Sequence, residues 1–285
     1  MKILLTGSSG FIGRNLHNVL LQSEEDIKII PVARSVGIDL EKVDINELPE
    51  SDLVIHLAGK VGVLGSWDNP DVFFRSNYIS TLNTIGYCRK HSASLIYVSS
   101  YMYGNPRYLP IDEKHPLSVN NPYAASKLIS EELLIKYADL FGLNLTILRP
   151  FNLYGPFMPT ENLIQFVFEQ LRRTNCVIVR DLEPKRDYLH VEDFCKAIDK
   201  VVRRIPTGIE VYNVGSGTSV SVLEIIKLFG LAMNKEIEIK SLSEKRVNEI
   251  QDCYADIRKI SDDFGWMPSV NLLQGIRSLV NSVES

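Results

Sequence analysis

The chain has 285 residues, of which 45 % are hydrophobic and 23 % charged, with a formal net charge of −4. That length suits one large domain, or a domain with a smaller lobe, and the composition is that of an ordinary globular protein. The acidic balance carries no nucleic-acid footprint and no apolar run is long enough to span a membrane, so neither partner is expected. The cysteines Cys88, Cys176, Cys195 and Cys253 form no C-x-x-C pair and no metal-ligand spacing. Reduced thiols in a cytoplasmic protein, with no metal, are therefore expected. Met1-Lys2 leads directly into the apolar Ile3-Leu4-Leu5, so no secretory leader is expected.

In chain order, Lys2–Thr6 is a short apolar run, expected as a buried strand. Gly7-Ser8-Ser9-Gly10-Phe11-Ile12-Gly13 follows, and Arg14–Gln22 is expected as a helix. Glycines between a strand and a helix permit a tight turn and close backbone approach to a diphosphate, which the helix N-terminus favours electrostatically. Ile27–Val32 is the second expected strand. It ends in Ala33-Arg34-Ser35, where a dinucleotide lacking a 2′-phosphate would usually meet an acidic residue. An arginine there suits a ribose 2′-phosphate, so NADP is the expected cofactor, with NAD the alternative.

Asp44-Ile45 precedes the third strand and is expected near the adenine. That strand, Leu53–Gly59, ends in Leu57-Ala58-Gly59, whose small residues leave room for a cofactor across the sheet edge. His56 is expected to be structural. Asp71–His91 is an expected helix, in which Asn77 is a candidate for tying helix to loop. Ser94–Val98 is the fourth strand, running into Ser99-Ser100. Alternating strands and helices predict a Rossmann-type doubly wound parallel sheet of the α/β class. Its carboxyl edge is where ligands bind.

Asn121-Pro122 signals a helix start, and Tyr123 and Lys127 then share one helix face. A neighbouring ammonium favours a phenolate and is expected to lower the Tyr123 pKa towards neutrality. Leu143–Leu148 is a further strand, Thr160–Arg172 a helix, Val177–Val179 a strand and Ser219–Leu231 a helix. Beyond about residue 159 the elements shorten and carry more charge. The expected division is a dinucleotide-binding domain over 1–158, rejoined by about 185–215, and a lobe formed mainly by 159–285.

The motifs Thr6-Gly7-x-x-Gly10-x-x-Gly13, His56-Leu57-Ala58, Ser99-Ser100-x-x-Tyr103-Gly104, Tyr123-x-x-x-Lys127, Arg149-Pro150-Phe151-Asn152-x-Tyr154-Gly155-Pro156, Arg186-Asp187-Tyr188-x-His190-Val191-x-Asp193 and Gly265-Trp266-x-Pro268 span nearly the whole chain. In that order they resemble the extended short-chain dehydrogenase/reductases of the NAD-dependent epimerase/dehydratase family, which act on nucleotide sugars. The resemblance implies Ser99, Tyr123 and Lys127 as catalytic residues, with Ser99 found by counting back four from Tyr103 and Ser100 as auxiliary. Lys127 would bind the nicotinamide ribose. Gly7, Gly10, Phe11, Ile12, Gly13, Leu57, Ala58, Gly59 and Pro150 would line the cofactor. Asn152, Arg186 and Arg246 would contact a nucleotide-diphosphate sugar held by the C-terminal lobe. A homodimer through the Tyr123 helix and its neighbour is also implied.

Departures from the family's pattern narrow the chemistry. Where its 4,6-dehydratases follow the catalytic hydroxyl with Asp-Glu, this chain has Ser100-Tyr101, which points away from dehydration. Where its GDP-fucose synthases use a cysteine and a histidine, this chain has Tyr101 and Phe157, which points away from double epimerisation. The remaining expectation is a 4-ketoreductase acting on an NDP-4-keto-(6-deoxy)hexose. A 4-epimerase with tightly bound NAD is the alternative, and a non-catalytic dinucleotide-binding regulator a more distant one.

Overall fold

The computed structural model describes residues 1–22, 26–44, 47–244 and 249–282. They gather into two compact units. The first comprises Met1–Met102, Leu117–Pro150 and Cys195–Tyr212; the second comprises Tyr103–Pro116, Phe151–Phe194 and the chain from Asn213 onward.

The first unit is built on six strands: β1 (Lys2–Thr6), β2 (Lys28–Val32), β3 (Leu53–His56), β4 (Ser94–Val98), β5 (Leu145–Pro150) and β10 (Ile209–Val214). Their order is β10-β5-β4-β3-β1-β2. The pairings β1–β2, β1–β3, β3–β4 and β4–β5 are all parallel, so the expected doubly wound sheet is what forms. β3, β5 and the last four residues of β1 are buried throughout, so they read as continuous apolar runs and not as alternating ones. The sheet order reverses direction between β1 and β3, which makes their carboxyl ends the topological switch point. Register sets Thr6 beside His56, and His56 beside Tyr97.

Four helices of this unit matter for the site. α1 (Phe11–Leu21) starts a turn earlier than expected, because Gly10 is already extended and caps it by its backbone alone. α2 (Val63–Asp68) is a short helix with no periodic signal to announce it. α3 (Pro70–His91) and α4 (Pro122–Phe141) both begin with proline at the first helical position, where a missing N–H costs nothing. Asn121 also caps α4, its side-chain oxygen accepting from the Ala124 N–H at 2.9 Å. Asn77 ties α3 to both neighbours as expected. Its oxygen accepts from Lys60 N at 2.7 Å, and its amide donates to the Ser126 hydroxyl at 2.7 Å.

A buried knot joins β1 to β3. The Thr6 hydroxyl accepts from the amides of Leu57 and Ala58 at 3.2 and 3.1 Å and lies 2.7 Å from His56 Nδ1. His56 Nε2 lies 3.2 Å from the Thr81 hydroxyl of α3. Complete burial, reinforced by the Lys127 charge, pushes the His56 pKa down to about 3. The imidazole is therefore neutral scaffold at physiological pH.

The second unit uses short parallel or antiparallel pairs: β6 (Asn152–Tyr154) with β9 (Tyr188–His190), β7 (Cys176–Val179) with β12 (Glu238–Ser241), and β8 (Lys185–Arg186) with β11 (Val220–Ser221). Helices α5 (Leu163–Leu171), α7 (Val222–Met233), α8 (Arg258–Phe264) and α9 (Leu272–Asn281) complete it, while α6 (Val191–Arg203) leads back into the first unit. α5 and α7 each start three residues later than expected. Asn162 caps the first, and Ser221 forms a capping box with Glu224 in the second. Two motif carboxylates turn out to be framework. Asp187 accepts from Ser216 N and Oγ, Gly217 N and Ala255 N. Asp193 accepts from Ser269 N and Oγ and from Val270 N.

The expected boundaries need adjustment. The first unit ends at Pro150 and not at 158, its returning segment is Cys195–Tyr212, and Tyr103–Pro116 belongs with the second unit. Ile111 bridges to Ala255, and the Tyr103 hydroxyl bonds Asn213, which ties that loop into the second unit.

His56 makes acid stability testable. Its folded pKa lies below the unfolded value of about 6.5, so the unfolded chain binds the extra proton and stability falls as pH drops from 6.5 towards 3. Thermal melts across that range should show His56→Gln losing less Tm than wild type. Parallel losses would mean that His56 protonation does not contribute.

Candidate active site

The turn Gly7–Gly10 and the start of α1 lie at the β1/β3 switch point. Gly7 has φ of +67°, and a Cβ there would sit 2.8 Å from Ala58 N. A Cβ on Gly13 would sit 2.4 Å from the Gly7 carbonyl oxygen. Both positions therefore admit only glycine, and the turn packs directly on the Leu57–Gly59 loop. The first amides of α1 have no acceptor within the helix and point towards this edge. Together they form a cradle for an anion.

The catalytic candidates come from α4 and the end of β4. Tyr123 is the second residue of α4, half-buried, with its ring packed edge-on to Phe73 at 6.4 Å. Burial pushes its pKa above the usual tyrosine value, and a hydrogen bond with the Ser100 side chain pulls in the opposite direction. The phenol is thus protonated at neutral pH, contrary to the expected lowering by Lys127. The reason is where the lysine goes. Lys127 is only 6 % exposed; its ammonium donates to the Val98 carbonyl at 2.7 Å and lies 4.2 Å from the centre of the Tyr97 ring. Burial lowers the Lys127 pKa to about 7, against the opposing influence of Glu131.

Ser99 and Ser100 have different surroundings. The Ser99 hydroxyl donates to Glu131 Oε2 at 2.8 Å, and it is Ser100 that meets Tyr123. The backbone stays paired to β5 past Val98. Ser99 N donates to the Leu148 carbonyl, and Tyr101 N to the Pro150 carbonyl. Side chains alternate along such a run, so Ser99 turns to the same face as Tyr97 and leaves Ser100 for the site.

Glu131 and Arg149 were not anticipated as a unit. They form a buried ion pair, at 1 % and 5 % side-chain exposure, with Arg149 Nε 3.1 Å from Glu131 Oε1. Removing one partner of such a pair strands a charge in the interior at about 3–5 kcal/mol. The available signal was Glu131 lying four residues beyond Lys127, on the same helix face.

Residues 3–215 match the model of the NAD dependent epimerase/dehydratase family. The chain belongs to that family. It is 30 % identical to the GDP-6-deoxy-D-mannose reductase of Pseudomonas aeruginosa, over 100 % of this chain and 97 % of the relative. It is 28 % identical to the UDP-glucose 4-epimerase of Bos taurus, over 95 % of this chain and 93 % of that one. The solved structure of RMD from Pseudomonas aeruginosa complexed with NADPH superposes with a TM-score of 0.89 at 29 % identity, covering 99 % of this chain and 98 % of the other. The protein is an NAD(P)-dependent enzyme of the extended short-chain type.

A dinucleotide fits the residues present, because Gly7 and Gly13 admit no Cβ and the turn rests on Leu57 and Ala58. Gly7, Gly10, Phe11, Ile12, Gly13, Leu57, Ala58 and Gly59 all lie at this edge, while Pro150 is buried at the end of β5. Arg34 follows β2 in a single 3-10 turn, 67 % exposed, paired with Glu41 and 3.4 Å from Asp39. Asp44 is described, whereas Ile45 and Arg246 lie outside the described residues.

The expected substrate contacts are otherwise engaged. The Asn152 amide donates to the Asp187 carbonyl at 2.9 Å and pins β6 in place. The Arg186 guanidinium donates to the carbonyls of Lys185 and Ile250 and pairs with Glu249, so it braces that segment. Among the described residues no helix is long and apolar enough to cross a membrane, and no group of three or more His, Cys, Asp or Glu could hold a metal ion.

The two serines separate by measurement. Ser100→Ala should lower kcat about 10–100-fold with Tm unchanged. Ser99→Ala should lower Tm, by about 1 kcal/mol of stability, with the smaller loss of kcat. The reverse pattern would return the reacting hydroxyl to Ser99.

Proposed function

We propose that the protein is an NADP-dependent 4-ketoreductase of a nucleoside-diphosphate 4-keto-6-deoxyhexose. The observation that carries this reading is the Tyr123 phenol, held protonated by its enclosure and met by Ser100. A ketone becoming an alcohol needs one hydride and one proton. The bound dinucleotide supplies the hydride. Ser100 holds the carbonyl oxygen, and Tyr123 delivers its proton to that oxygen as charge develops there. Lys127, one helical turn further along α4 with its ammonium on the Val98 carbonyl, would hold the nicotinamide ribose. No second proton carrier is required, and positions 101 and 157 supply a phenol and a phenyl ring where a carboxyl, thiol or imidazole would be needed for dehydration or double epimerisation.

The likeness to a GDP-6-deoxy-D-mannose reductase and to a structure complexed with NADPH supports the reductase reading. One observation favours the 4-epimerase alternative. Arg34 already has Glu41 and Asp39 as counter-charges, which a 2′-phosphate would have to displace. An exposed pair of this kind holds weakly, and a phosphate offers a stronger, doubly charged partner.

Purified protein should consume one NADPH for each 4-keto sugar reduced. Stoichiometric NAD surviving purification, with turnover needing no added cofactor, would establish the epimerase instead. Tyr123→Phe should cost about 100-fold or more in kcat.

The same protein should weaken NADPH binding about tenfold on Arg34→Leu, from loss of a charge-assisted contact, with NADH changed less than about twofold. Glu41→Gln should tighten NADPH by freeing Arg34. Unchanged NADPH titrations in both variants would remove Arg34 from cofactor selection.

A further inference from the structure

Three charged groups of the first unit are buried: Lys127 and Glu131, one turn apart on α4, and Arg149 of β5, which pairs with Glu131. The reaction above uses Lys127 alone. Glu131 has one oxygen on the Ser99 hydroxyl and both near Arg149, so three elements converge on it: the end of β4, the end of β5, and α4 itself. It is also the one carboxylate that acts on Lys127, opposing the burial that favours the neutral amine.

We propose that Glu131 is a positioning residue of this active site: its carboxylate holds Ser99 inward so that Ser100 meets Tyr123, and it supplies the negative charge that keeps Lys127 an ammonium. The inference rests on Tyr123 and Lys127 being the acid/base pair. Arg149 has the complementary task of holding that carboxylate in place. The groups facing Lys127 are few. From α4 they are Tyr123 and Glu131, from β4 the Tyr97 ring and the Val98 carbonyl, and from β3 the neutral His56. Arg149 enters from β5 through Glu131. From α3 come the neutral hydroxyls of Thr81 and Thr84, both on His56. Among the described residues no other carboxylate acts on Lys127.

The sign follows directly. Removing the Glu131 charge lowers the Lys127 pKa, so the ammonium is lost at lower pH, and turnover that needs it fails earlier on the alkaline side. Lysine labelled with 13C at Cε reads this without any substrate, the Lys127 resonance being identified by its absence in Lys127→Met. In Glu131→Gln the Lys127 midpoint should fall by about one pH unit, and in Glu131→Asp it should stay near wild type. Should Glu131→Gln fail to fold, the double variant Glu131→Gln/Arg149→Met removes both buried charges and should show the same downward direction.

In turnover, the alkaline limb of kcat should move down with the NMR midpoint, while KM for the nucleotide sugar is unchanged. An unmoved Lys127 midpoint in a folded Glu131 variant overturns the inference, whatever the activity. A midpoint that moves in a protein with no activity on any nucleotide sugar leaves the role of Glu131 standing and sinks the reductase reading.

Discussion

The buried pair between Glu131 and Arg149 is the constraint on which the catalytic geometry depends. An uncompensated charge in that position would be far more costly than any single hydrogen bond in the site, so the two side chains have little choice but to meet. Their meeting holds α4 against the ends of β4 and β5, and the strand ends are what present the reacting groups. Ser99 is drawn inward by the carboxylate, Ser100 is left at the edge, and Lys127 is enclosed against Tyr97 with its ammonium on the Val98 carbonyl. Positions that look like a run of catalytic residues in sequence are thus divided between support and chemistry.

A second knot does the same for the dinucleotide edge. Thr6, His56, Thr81 and the amides of Leu57 and Ala58 bind the two central strands and α3 without a charge among them. Neutrality is what permits complete burial there. The glycine turn then rests on that loop closely enough that a Cβ at Gly7 or Gly13 would collide with backbone. The anion-binding amides of α1 and the catalytic helix are therefore each referred to a buried, fully bonded anchor and not to surface contacts.

Much of this was legible in the residues themselves. The strand–glycine–helix start, the alternation of apolar runs with helices, and the Tyr123–Lys127 spacing are local patterns, and local geometry suffices to read them. The family and the fold followed from them and are borne out. Boundaries shifted where capping decides them, at Asn162 and Ser221, because a cap competes with the periodic signal over a single turn. Asn152 and Arg186 read as ligand contacts because amides and guanidiniums suit sugars and phosphates. In the fold the Asn152 amide also donates to the Asp187 carbonyl, and Arg186 also bonds backbone carbonyls and Glu249.

The sequence by itself determined that this is a doubly wound parallel sheet with a glycine turn after its first strand and a tyrosine and a lysine one turn apart on a later helix. The turn and the pair lie within spacings of seven residues or fewer, and the sheet is read from the alternation of strands and helices along the chain. Only the tertiary structure decided that Ser99 bonds Glu131, that burial holds the tyrosine protonated, and that Glu131 and Arg149 form a buried pair. Each of those depends on burial and on partners brought from other strands, with 18 residues separating the ion pair and 32 separating Ser99 from its acceptor. The electrostatic cost of a buried charge is set by what surrounds it, and no stretch of sequence contains its own surroundings.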